Sequence, residues 1–131
     1  MPEDEIKRYF GFLEKEYGFK KLPQYNYVRE LHTDFIKDNI IVKIIFEGSY
    51  IIEVFKLKVD NSGLINGTAK VVQLSKDNYA SHYLSELGKP DASSKGLEYY
   101  SSVLKANAEI LHGNFSKFST LYSFFKFLGL R

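Results

Sequence analysis

The apolar positions change period along the chain. Between residues 3 and 17, Ile6, Phe10, Leu13 and Tyr17 recur at i, i+4, i+7 and i+11, flanked by Tyr9 and Phe12. This spacing puts them on one face of a helix over 3–17. Pro2 and the acids Glu3, Asp4 and Glu5 suit its first turn. Gly18 suits its end, with Phe19 folding back, and Gly11 sits inside it at some cost. From Tyr25 the period falls to two. Tyr25, Tyr27, Arg29, Leu31, Thr33 and Phe35 alternate with Asn26, Val28, Glu30, His32 and Asp34, which predicts one strand. Lys37-Asp38-Asn39 reads as a turn. Residues 40–47 and 50–59 are rich in Ile, Val and Phe and predict two strands joined by a two-residue turn at Gly48-Ser49. Residues 60–63 and Asn66-Gly67 signal further turns, and 68–74 predicts a fourth strand.

Beyond residue 75 the pattern reads as helical again. Tyr79, Tyr83 and Leu87 are spaced by four, which predicts a helix over 77–87 ended by Gly88-Lys89-Pro90. Leu97, Tyr100, Leu104, Ala108 and Leu111 share one face of a helix over 96–112, closed by Gly113, with Asn114 capping the next. That last helix, 115–128, carries a stripe of Phe115, Phe118, Leu121, Tyr122, Phe125 and Leu128. Phe124 and Phe127 fall off the stripe. The order predicts a single α+β domain over 1–131. It comprises an N-terminal helix, an antiparallel four-stranded meander, and two to three C-terminal helices packed on one sheet face.

A two-residue loop would pair Ile44 with Glu53. Glu53 would then be the one acid on a face with Ile40, Val42, Ile44, Phe46, Ile51, Phe55, Leu57 and Val59, where a carboxylate needs partners or a raised pKa. A bulge after Gly48 would shift the register and turn it out. Lys43, Lys56, Lys58 and Lys70 would dot the outer sheet face among Glu30 and Glu47. Asn107 interrupts the apolar arc of the 96–112 helix. Its amide either bonds a backbone group or a tyrosine, or lies at the floor of a pocket between helix and sheet, near Tyr100 and Glu53. Phe124 and Phe127 are candidates for a partner surface.

Composition narrows the chemistry. The chain holds no Cys, which excludes thiol nucleophiles, disulfides and cysteine-based zinc sites. The three His residues, His32, His82 and His112, show no metal-ligand spacing and are expected at the surface or rim. No GxSxG, P-loop, GxGxxG or EF-hand pattern occurs. A net charge of +2 without a basic cluster, and strands without an RNP signature, argue against nucleic acid. Aromatics reach 16%, with 11 Phe, 10 Tyr and no Trp, which suits a Phe-filled core rimmed by Tyr, or an aromatic-lined pocket or interface. The acidic start lacks a leader pattern and no apolar run approaches a membrane span, so a cytoplasmic location without membrane contact is expected.

Three stretches carry a family resemblance: FLEKEYGF at 12–19, the β-run from 25 to 59, and LEYYSSVLKANAEILHGNFSKF at 97–118. In this order they resemble small uncharacterised bacterial α+β proteins, some of which look like immunity proteins of polymorphic toxin systems. Gly113-Asn114 stands where that pattern has Gly-Asp, with the same capping role. The resemblance implies a shared fold and a protein partner, a toxin among the candidates, and it brings no catalytic residue and no cofactor. With no catalytic constellation in view, the expectation is a small non-enzymatic protein-binding domain, immunity-like, that neutralises a partner by covering its surface. The alternative is a small-molecule-binding domain with a cavity between sheet and helices.

Overall fold

A computed structural model describes residues 2–58, 74–88 and 96–118. The chain is α+β, with N-terminal helices, an antiparallel sheet and C-terminal helices. The first helix is broken in two, α1 (Pro2–Phe10) and α2 (Phe12–Tyr17), with Gly11 at the joint. A Cβ on Gly11 would collide with the Lys7 carbonyl oxygen, so the chain tightens there as only glycine allows. Most of the predicted face survives the break: Ile6, Phe10 and Leu13 are buried, and Tyr17 is half-buried.

The sheet holds six strands among the described residues, which corrects the four-stranded meander. They are β1 (Lys20–Lys21), β2 (Tyr25–Tyr27), β3 (Glu30–Lys37), β4 (Ile40–Phe46), β5 (Tyr50–Leu57) and β6 (Tyr79–Tyr83). All pairings are antiparallel in the order β1-β3-β4-β5-β6, with β2 also against β3. The strand predicted over 25–35 is really a hairpin. Tyr27 pairs with Glu30, and Val28 at the bend adopts φ +58°. A β-branched residue rarely occupies that region, so the sequence carries no turn signal there. The Lys37-Asp38-Asn39 turn forms as predicted, with Lys37 opposite Ile40 and Asp38 at φ +53°.

The β4–β5 loop has three residues, Glu47-Gly48-Ser49, because Phe46 pairs with Tyr50. Gly48 takes φ +74° and the Glu47 amide donates to the Ser49 carbonyl at 3.1 Å. The third loop residue moves the register by one, and side chains on a strand alternate, so each face changes its membership. Ile44 now pairs with Ile52 and Val42 with Val54, while Glu53 pairs with Lys43.

One face carries Phe35, Ile40, Val42, Ile44, Ile52 and Val54, which form one buried cluster with Ile6, Phe10 and Leu13 of α1 and α2. Leu97, Tyr100 and Leu104 of α3 (Gly96–Ala106) complete it, with Ile110 and Leu111 from the 3₁₀ turn Ala108–His112. The Ser101 hydroxyl donates to the Tyr9 carbonyl at 2.7 Å and ties α3 to α1. The other face has a smaller apolar cluster of Leu22, Ile36, Ile41, Phe55 and Leu57.

Two helices predicted from periodicity differ. Residues 77–87 form a 3₁₀ turn (Lys76–Asn78), then β6, then a second 3₁₀ turn (Leu84–Glu86). A spacing of four serves a strand as well as a helix, since it is twice two, so Tyr79 and Tyr83 share a face in either structure. The helix over 96–112 ends at Ala106, and Asn107, at φ −124° and ψ 45°, leads into the 3₁₀ turn. Asn114 acts as a cap, as predicted: its side-chain oxygen accepts from the Ser116 amide at 3.1 Å. Of the strand predicted over 68–74 only Leu74 is described, at a bend; the rest of it, with Lys70, and Phe124 and Phe127 lie outside the described residues. No described helix is long and apolar enough to cross a membrane.

Candidate functional site

The second sheet face gathers the polar side chains. Cross-strand pairing builds a row, Asp34 to Lys43 to Glu53 to Tyr83, across β3, β4, β5 and β6. The next row runs from Tyr25 through His32 and Ile45 to Ile51. Neighbours in a row stand about 5 Å apart and can interact directly.

Lys43 is the hub. Only 2% of its side chain is exposed, as for Asp34. Its Nζ lies 3.0 Å from Asp34 Oδ1, and it donates to the Tyr25 hydroxyl at 2.7 Å. Its third contact is His32 Nδ1, at 2.7 Å. Tyr25 donates onward to Asp34 Oδ2 at 3.2 Å, and His32 Nε2 is 2.9 Å from Glu30 Oε1. The ammonium donates to the Tyr25 hydroxyl and to His32 Nδ1 and pairs by charge with Asp34, whose buried Oδ1 accepts no hydrogen bond. With Lys43 as donor, His32 is neutral with its proton on Nε2, and that proton goes to Glu30. Tyr25 stacks on His32 at 5.2 Å between ring centroids. A buried ammonium is tolerable only beside a countercharge and acceptors of this kind.

Burial sets the titration of these groups. It lowers the His32 pKa, against the Glu30 hydrogen bond, and the Lys43 charge lowers it further. It also lowers the Lys43 pKa, with the Asp34 carboxylate opposing. For Glu53 burial raises the pKa, opposed by a hydrogen bond with Ser81 and by the Lys43 charge. The Glu53 charge is in turn the main reason that the Tyr83 pKa is raised.

Above this network lies a pocket of about 270 Å³, bordered by Tyr27, Tyr79 and Tyr83, by Glu30 and Glu53, and by Ile45, Ile51 and Phe55, with His32 and Lys43 also in its wall. Its rim is unusually apolar. The large hydrophobic side chains that are exposed among the described residues are Tyr27, Val28, Ile51 and Tyr83. Three of them border the pocket, and Val28 follows Tyr27 in the hairpin.

The residues singled out from sequence do not come together. Glu53 borders this pocket, on the face opposite Ile44, which corrects its expected place beside the helix-covered core. Tyr100 is packed in that core. Asn107 is at the end of α3, where its amide donates to the Val103 carbonyl at 2.7 Å and accepts from Lys117 at 2.6 Å. This is its backbone-bonding reading, and it faces no pocket with Glu53. His32 is buried, not at the rim; His82 is half-buried and stacked on Phe118 at 4.6 Å, and His112 is exposed. Lys43, expected on a solvated face, is buried as well. Sequence reasoning missed Lys43, Asp34, His32 and Tyr25. The available signal was one Lys inside the apolar string IIVKIIF, opposite the alternation of Glu30, His32 and Asp34. Among the described residues no group of three His, Asp or Glu is placed to hold a metal.

No family model matches the chain, and no curated protein or solved structure matches it either.

Proposed function

We propose that the chain is a protein-binding domain whose partner docks on the sheet face bearing the Lys43 network. The observation that carries this reading is the grouping of the exposed Tyr27, Ile51 and Tyr83 around one pocket. Exposed apolar side chains scattered singly need no explanation, but a contiguous set with a polar centre resembles an interface. Tyrosines beside a partly desolvated charge are the usual anchors of such surfaces. The immunity-like role, in which the domain neutralises a partner by covering it, is the finer form of the proposal. A small-molecule reading would look to this pocket, since the described side chains between sheet and helices are packed against one another.

The test is affinity capture from the native host with wild type and Ile51→Asp. Ile51 is 43% exposed, so the substitution leaves folding within about 0.5 kcal/mol. A protein retained by wild type and lost by Ile51→Asp, with equal thermal melts, supports the docking face. Retention indifferent to Ile51 refutes it.

A further inference from the structure

We infer that the pocket receives an arginine side chain of the protein partner, an inference that rests on the docking face proposed above. Charge is the first reason. The network and pocket hold one cation, Lys43, against three carboxylates, Asp34, Glu30 and Glu53. Asp34 is committed to Lys43 at 3.0 Å, and His32, as a neutral donor, brings Glu30 a hydrogen bond but no charge. Glu30 and Glu53 therefore leave the pocket wall short of positive charge.

Shape and surface are the second. Tyr27, Tyr79 and Tyr83 line the same pocket as the two acids. Rings with carboxylates suit a cation that can stack and donate at once. A guanidinium does both through its flat face and its fork of N–H donors, whereas an ammonium is a more strongly hydrated point charge. Size is the third. At about 270 Å³ the pocket falls just below the range of roughly 300–1,000 Å³ typical of small-molecule sites, and suits one long side chain. The burial that pushes the Glu53 carboxyl up is eased by an incoming cation. Apolar Ile51 at the rim would then exclude water around the buried charge.

The experiment titrates the ¹⁵N-labelled full chain with N-acetyl-arginine methylamide and, separately, with N-acetyl-norleucine methylamide, following amide shifts. The arginine probe is expected to shift the amides of Tyr27, Ile51 and Tyr83 saturably, and the norleucine probe to leave them in place. Glu53→Gln and Glu30→Gln keep the side-chain shape and are each expected to weaken the arginine probe about fivefold or more, as for loss of a charged acceptor. A silent arginine probe, equal shifts from norleucine, or indifference to both Gln variants overturns the assignment. Ile51-dependent capture with a silent arginine probe overturns the arginine and leaves the docking face standing. A responsive probe without Ile51-dependent capture does the reverse.

Discussion

Replacing Lys43 by Met tests whether the Lys43–Asp34 ion pair is truly buried in the sheet. The perturbation removes one ammonium and keeps most of its volume. Asp34 would remain as a carboxylate with 2% of its side chain exposed, and His32 Nδ1 would lose its donor at 2.7 Å. Breaking a buried pair from one side costs about 3–5 kcal/mol, because the surviving charge is stranded. A domain of this size has roughly 5–15 kcal/mol in total, so most of its margin is at stake. With a urea slope of about 2 kcal/mol/M the unfolding midpoint should fall by roughly 1.5–2.5 M. Far-UV circular dichroism can follow the transition, backed by tyrosine emission, since the chain has 10 Tyr and no Trp. Lys43→Met combined with Asp34→Leu removes both charges, and should recover most of the loss, since buried pairs exchange for apolar side chains at little cost. A Lys43→Met cost below about 1 kcal/mol, the size of a solvated surface pair, would refute the burial argument. So would a double variant whose cost is the simple sum of the two single ones.

Other perturbations probe separate parts of the fold. Val28→Asn should raise stability by up to about 1 kcal/mol in a thermal melt, since φ +58° suits Asn better than a β-branched residue, and should weaken partner capture. Gly11→Ala should cost about 1–3 kcal/mol by urea denaturation, because its Cβ would collide with the Lys7 carbonyl oxygen, a backbone atom that has nowhere to go. Acidification should destabilise the domain through His32. Its folded pKa is lowered from 6.5, so the unfolded chain takes the proton first; stability is complete above that value and drains as the pH falls below it. Glu53, raised from 4.5, acts with the opposite sign and returns stability as the pH falls through its folded pKa. The urea midpoint should therefore drop from about pH 7.5 to about pH 5.5, and His32→Gln should shrink that drop.

Local pattern makes the helix faces legible. A spacing near 3.6 assigns Ile6, Phe10 and Leu13, and then Leu97, Tyr100, Leu104 and Leu111, to buried faces, and all are buried. The break at Gly11 leaves the first face intact, because one glycine changes the path of the chain more than the side on which its neighbours project. Elements with the wrong identity fail for definite reasons. Val28 turns the chain without a turn residue, so a hairpin looks like one strand. Tyr79 and Tyr83 occupy a spacing that two periods share. In neither case do the residues themselves break the tie; β6 is fixed by its partners on β5, Tyr83 against Glu53 and Tyr79 against Leu57.

The site is hidden for a deeper reason: its chemistry depends on register, and register is non-local. Glu30, His32 and Asp34 alternate with apolar neighbours, and a polar face read alone is a solvated face. Lys43 becomes a buried cation only when β3 brings Asp34 to one side and β5 brings Glu53 to the other. One loop residue decides the second event. In a two-residue loop Lys43 would lie opposite Val54, and Glu53 would join Ile44 on the helix side. The three-residue loop at Glu47-Gly48-Ser49 places Glu53 opposite Lys43 and beside Tyr83 instead. Glu53 thus enters a polar row in place of an apolar core. Its carboxylate reaches a pocket rimmed by aromatic and apolar side chains.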